Sequence, residues 1–156
     1  MNSITNNNLD LKGKKVLLRV DLNVPMKNGA ITETSRIEKI IPTIKLLLKK
    51  EAKIIIMSHI GRPKGKVVNG MSLKPISEKL SLLLNKNVYF NEDLINEDTL
   101  LKINKIPNGS ILMLENIRFN EGEETNDTEF SKKISTLGDI YAVSYTHLTL
   151  PTRAVV

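Results

Sequence analysis

A three-layer α/β/α domain built on a parallel sheet is the fold class this sequence predicts, and three observations carry that reading. Short, continuous apolar runs recur at 15–20, 53–57 and 110–114, the pattern of strands covered on both faces. Between them lie stretches with apolar residues at helical spacing, the first of them Ile37, Ile40, Ile41, Ile44, Leu47 and Leu48. Short links join the two kinds of element in alternation, which favours right-handed crossovers and helices on both sides of one sheet.

The elements follow in order. Val16-Leu17-Leu18 forms the centre of the first strand, and Pro25 keeps the sheet from continuing. Thr34 or Ser35 is placed to cap the first helix, and Pro42 inside it implies a kink or a second helical start. Ile54-Ile55-Ile56 marks the second strand, followed by a loop over 61–71 rich in glycine, proline and lysine. Pro75 suits a first helical turn, and Ile76, Leu80, Leu83 and Leu84 supply the next apolar stripe. A short third strand covers 87–90, and a brief helix over 97–104 ends before the turn Pro107-Asn108-Gly109. The fourth strand takes 110–114, and Phe130, Ile134 and Leu137 mark a helix beyond an acidic loop. A fifth strand begins over 139–143. The stretch 142–156 then shows neither a helical stripe nor a polar strand end. The architecture is therefore Rossmann-like and incomplete at its C-terminal side, with a body over 1–141 and an unrelated tail over 142–156. That tail resembles translated sequencing-adapter or vector DNA.

Composition narrows the function classes. The chain has 156 residues, 40% of them hydrophobic and 26% charged, which suits one globular domain. The absence of cysteine excludes disulfides and thiolate metal sites. The polar, asparagine-rich start lacks the apolar core of a signal peptide, and no apolar run approaches the roughly 20 residues that span a bilayer. A cytoplasmic, monomeric protein is expected. The net charge of +6 comes from scattered lysines, with only three tyrosines and three phenylalanines to stack on bases, so no nucleic-acid partner is expected. Of the 23 basic residues, five are arginines, and Arg36, Arg62 and Arg118 lie in or beside strand-end segments. A guanidinium offers a planar fork matched to carboxylate and phosphate, unlike an ammonium.

Three strands end in polar segments: Arg19-Val-Asp-Leu-Asn-Val-Pro25, Ser58-His-Ile-Gly-Arg-Pro63 and Glu115-Asn-Ile-Arg-Phe119. Asp21 and Asn23 are able to bond a hydroxyl group, one accepting and the other both donating and accepting; each also suits an ordinary turn before Pro25. His59 and Arg62 stand where parallel sheets bind ligands, although the glycine and proline around them also fit a tight turn. Arg36, near the start of a helix, is by itself a surface arginine placed unfavourably for the helix dipole. Arg118 is equally suited to a salt bridge with Glu121, Glu123 or Glu124. The run Gly61-Arg62-Pro63-Lys64-Gly65-Lys66 fails the phosphate-loop pattern by one residue, and Val67 stands where that motif needs a hydroxyl. Together the segments describe a basic cleft with one acid, suited to a small hydroxylated phosphate or carboxylate.

These same segments, with Arg36, Pro42-Thr43-Ile44 and Gly122-Glu123-Glu124, closely resemble the N-terminal domain of the phosphoglycerate kinases, collinearly over about 9–141. The resemblance implies a glycolytic transferase that moves a phosphoryl group reversibly between 1,3-bisphosphoglycerate and ADP, giving 3-phosphoglycerate and ATP. It implies that 1–141 is part of the phosphoglycerate-binding domain. Asp21 and Asn23 would hold the substrate's hydroxyl end, and His59, Arg62 and Arg118 its remote phosphate. Arg36 would be the catalytic residue, reaching the carboxyl and the phosphoryl group in flight. Mg-ATP or Mg-ADP would bind a C-terminal domain, so neither cofactor nor metal is expected on this chain, which is expected to be inactive alone. After Asp139-Ile140-Tyr141 the text departs from the family, whose next segment supplies another phosphate-binding arginine. A free-standing module that binds phosphorylated acids without catalysis is the alternative.

Overall fold

The computed structural model describes residues 10–28, 30–61, 63–68, 70–120 and 128–144. Among them, five strands form one sheet: β1 (Lys15–Val20), β4 (Lys53–Met57), β5 (Val88–Asn91), β6 (Ile111–Leu114) and β7 (Ile140–Ser144). Their order is β5-β6-β4-β1-β7, and every pairing is parallel. β7 is paired with β1 to its end, Ala142, Val143 and Ser144 lying opposite Leu18, Arg19 and Val20. A two-stranded antiparallel hairpin, β2 (Met26–Lys27) and β3 (Ala30–Ile31), interrupts the expected alternation directly after the β1 loop. Asn28 at its tip takes a φ of 53°, the left-handed conformation an Asn-Gly hairpin turn demands.

Alternate side chains of each strand enter different cores. Val16, Leu18, Ile54, Ile56, Ile111 and Met113 pack beneath α1 (Ser35–Lys49) and α2 (Lys74–Leu84). Leu17, Ile55, Met57, Leu112 and Leu114 pack beneath α3 (Glu97–Lys105) and α4 (Thr128–Ser135). Strands apolar on both faces thus make three layers, as the pattern of period two requires. Among the described residues no helix is long and apolar enough to cross a membrane.

Local signals explain most helix ends. Asn96 and Thr99 form a capping box at α3, whose first turn carries Glu97 and Asp98 and whose last turn carries Lys102 and Lys105. Pro75 opens α2, and Asn85 closes it in a left-handed conformation. The expected second helical start at Pro42 does not occur: α1 runs from Ser35 through Pro42 to Lys49, with the proline on its exposed face. Thr34 occupies the cap position but its side chain caps nothing. Glu33 does that work instead, its carboxylate accepting from the Ser35 hydroxyl at 2.7 Å and the Ser35 amide at 2.6 Å.

Where α4 hands over to β7, Asp139 is locked to the start of β1: its carboxylate accepts from the Lys15 amide at 2.9 Å, and its amide donates to the Lys15 carbonyl at 2.7 Å. Gly138 makes that approach possible, since a Cβ there would lie 2.6 Å from Leu17 Cγ and 3.1 Å from the Lys15 carbonyl oxygen.

Gly138→Ala should therefore lower stability by about 2 kcal/mol through overpacking, read as a lower urea midpoint with unchanged slope. Acid should loosen the start of α1. Hydrogen bonds from Ser35, side chain first, hold the Glu33 carboxyl below its ordinary value of 4.5. A lowered folded value means a contribution present above the ordinary range and lost as pH falls through the folded value. The Ser35 amide resonance should titrate with a midpoint below 4.5, and Glu33→Gln should abolish that titration.

Candidate functional site

A parallel sheet brings the carboxyl ends of all its strands to one edge. Because β6, β4 and β1 are consecutive neighbours, the three polar segments that follow them meet there. The chain leaves β4 toward the face of α1 and α2, and leaves β6 toward that of α3 and α4. The ends of β4 and β6 therefore flank a topological switch point, where open α/β sheets form a ligand crevice.

On the β1 side, Asp21 and Asn23 are exposed while Leu22 between them is buried. The Asn23 amide donates to the Asp21 carboxylate at 3.1 Å, so the turn expected of these residues is present. Arg36, in the first turn of α1, reaches across to the same residues. Its Nη1 donates to both Asp21 carboxylate oxygens at 3.0 and 3.1 Å and to the Asn23 carbonyl at 2.9 Å. Those contacts offset the unfavourable placement of a cation at a helix N-terminus. The Arg36 and Asp21 side chains are 41% and 51% exposed, so solvent holds their ion pair to no more than about 1 kcal/mol.

On the β6 side, a 3-10 turn over Ile117–Phe119 follows the strand and carries Arg118. Arg118 Nη1 donates to the Gly61 carbonyl at 3.4 Å, and the Arg118 carbonyl accepts from the Gly65 amide at 3.0 Å. Gly61 also donates its amide to Asn23 Oδ1 at 3.4 Å. This one residue thus links the Asp21-Asn23-Arg36 group to Arg118. Its φ of +66° and the 2.9 Å that would separate a Cβ from the Met71 sulfur make glycine the fitting residue. His59 is half-buried, two residues beyond β4. Arg62 lies outside the described residues, as do Glu121, Glu123 and Glu124, the acids that offered Arg118 a salt bridge. Among the described residues no three His, Cys, Asp or Glu side chains gather to hold a metal ion.

Three further residues organise the edge, and sequence patterns did not single them out. Asn116 is fully buried; its Nδ2 donates to the Ile60 carbonyl at 2.8 Å and the Met71 carbonyl at 3.0 Å, while its Oδ1 accepts from the Arg118 amide at 3.0 Å. Glu115 accepts from the Leu73 amide and the Ser72 hydroxyl, both at 2.7 Å, and so tethers the start of α2 to the end of β6. Ser58, buried at the end of β4, accepts from the Leu22 amide at its Oγ and from the Ile117 amide at its carbonyl, both at 3.0 Å. Position immediately after an apolar strand was the available signal, but the partners are remote in sequence.

Asn116→Ala would leave the buried Ile60 carbonyl, the half-buried Met71 carbonyl and the Arg118 amide without their partner, and should lower stability by about 3 kcal/mol, measured by urea denaturation.

Comparison with known proteins agrees with this architecture. The family model described as phosphoglycerate kinase matches residues 6–144. The phosphoglycerate kinase of Dictyoglomus turgidum is 50% identical over 132 residues, which cover 85% of this chain and 33% of that protein. That of Bradyrhizobium diazoefficiens is 48% identical over 137 residues, covering 88% and 34% respectively. The solved phosphoglycerate kinase from Coxiella burnetii superposes with a TM-score of 0.78 at 40% identity, covering 88% of this chain and 34% of that one. The Pyrococcus horikoshii enzyme gives 0.76 at 32% identity, covering 88% and 35%. The chain spans about a third of the length of the relatives it matches. With its parallel sheet, its strand-end segments and a match over residues 6–144, the chain belongs to the phosphoglycerate kinase family.

Proposed function

We propose that this domain binds 3-phosphoglycerate and 1,3-bisphosphoglycerate, as the acid-binding half of an enzyme that moves a phosphoryl group reversibly between 1,3-bisphosphoglycerate and ADP. The observation that carries the reading is the link through Gly61, which joins groups from three strand ends at a single edge. In this reading Asp21 and Asn23 take the substrate's hydroxyl. His59, Arg62 and Arg118 take its remote phosphate, and Arg36 takes the carboxyl and the group in flight. A forked cation suits that last task, because phosphoryl transfer is governed by positioning and by neutralising charge spread over the equatorial oxygens. The Asp21–Arg36 pair holds the guanidinium near the proposed hydroxyl site at little energetic cost, so an arriving anion can draw it away. Mg-ATP or Mg-ADP, in the same proposal, binds outside the residues described, and 1–141 forms part of the acid-binding unit.

Titration calorimetry of the 156-residue chain with 3-phosphoglycerate tests this. Arg36→Ala and Arg118→Ala should each weaken binding by about 10- to 100-fold, the worth of one charge-assisted contact to an oxyanion. Both variants binding as tightly as the parent chain would sink the proposal.

A further inference from the structure

We infer that the buried hydroxyl of Ser58 is the positioning group that sets Asp21 and Asn23 at the edge of the sheet, and thereby sets the selectivity of the site for a hydroxylated acid. The inference rests on the proposed function for its ligand, and on the hydrogen bonding of the strand ends for its cause.

The backbone ladder between β1 and β4 runs from Lys15 opposite Lys53 to Arg19 opposite Met57. Beyond that point the ladder stops, yet Leu22 remains fully buried and its amide still requires an acceptor. Ser58 Oγ provides it at 3.0 Å. On the opposite side the ladder between β4 and β6 ends with Ile56 opposite Met113, and there the Ser58 carbonyl takes the Ile117 amide at 3.0 Å. Ser58 therefore extends the sheet past its last rungs in both directions, with side chain toward β1 and backbone toward β6. The residue must be small to remain 1% exposed in that position, and it must carry an acceptor one bond beyond Cβ. Serine meets both conditions; alanine meets only the first.

The consequence for the site comes from what flanks Leu22. Asp21 precedes it and Asn23 follows it, and both face solvent. Fixing the Leu22 peptide fixes the starting points of both side chains relative to Gly61, which the Asn23 carboxamide also contacts. Without the Ser58 bond the buried Leu22 amide would have to find another acceptor, and the loop would move as a unit to supply one. Arg118, anchored through Asn116 and Gly65, would not be dragged with it. The hydroxyl side of the site would shift while the phosphate side stayed in place.

The test compares the parent chain with Ser58→Ala and with Ser77→Ala, a control that removes another buried serine whose hydroxyl bonds only locally, to the Lys74 carbonyl. Each is titrated with 3-phosphoglycerate and with 3-phosphooxypropanoate, which lacks the 2-hydroxyl. The parent and Ser77→Ala should prefer the hydroxylated acid by about tenfold or more, and Ser58→Ala should reduce that ratio at least about threefold while retaining affinity for the deoxy acid. Amide exchange should show Leu22 protection falling by at least about tenfold in Ser58→Ala alone. An unchanged ratio in Ser58→Ala overturns the inference, as does unchanged Leu22 protection. If the parent chain fails to bind or fails to discriminate, the proposed function falls on its own, and the exchange result decides the role of Ser58.

Discussion

A parallel strand satisfies its backbone through its neighbours only as far as the shorter of the two runs. The amides and carbonyls just beyond that point are still partly buried, and each needs a partner. In this chain those partners come from Ser58, Glu115, Asn116 and Asn23, and the conformation of the whole strand-end edge follows from these bonds. Asn116 alone joins the loop after β4, the approach to α2 and the turn carrying Arg118. Every such bond spans two segments, so each loop is tied to a neighbour at an identifiable point. In the proposed function, such cross-ties bring cations separated widely in sequence to one small anion.

Charge is arranged on top of that frame with little expenditure of stability. The Arg36–Asp21 pair is half exposed, so it directs the guanidinium without trapping it. Arg118 is more enclosed, and its turn is held by backbone contacts to Gly61 and Gly65. The two arginines thus differ in setting, one in an ion pair screened by solvent, the other in a turn tied to the loop after β4. In the proposed function, that division suits a ligand anchored at one end and reacting at the other.

The same edge depends on the two cores beneath it. Residues of alternate parity along β1, β4 and β6 enter opposite cores, so helices are obliged to cover both faces. Leaving β4 on one side and β6 on the other opens the crevice between them, and the cross-ties of Ser58 and Asn116 bridge it at its base. Shape at the top of the sheet is in this sense a result of which face each crossover helix covers.

Much of this was written in the sequence. The apolar runs at 15–20 and 53–57, the helical stripes, Pro75, and the polar segments after three strands depend on local periodicity and on backbone stereochemistry, which nearby residues suffice to express. Asn28-Gly29 is an equally local signal for a hairpin turn, but two-residue strands are too short to show a period. The cap from Glu33 was hidden differently: Thr34 had the preferred residue type, and an adjacent carboxylate won the Ser35 amide. Tertiary structure alone decided which residues organise the edge. Ser58, Glu115 and Asn116 are ordinary polar residues until the strand order β6-β4-β1 places them beside amides and carbonyls 36 to 59 positions distant, the farthest more than a third of the chain length away. A hydrogen bond is chosen by proximity in space, and sequence periodicity carries no record of which remote strand becomes the neighbour.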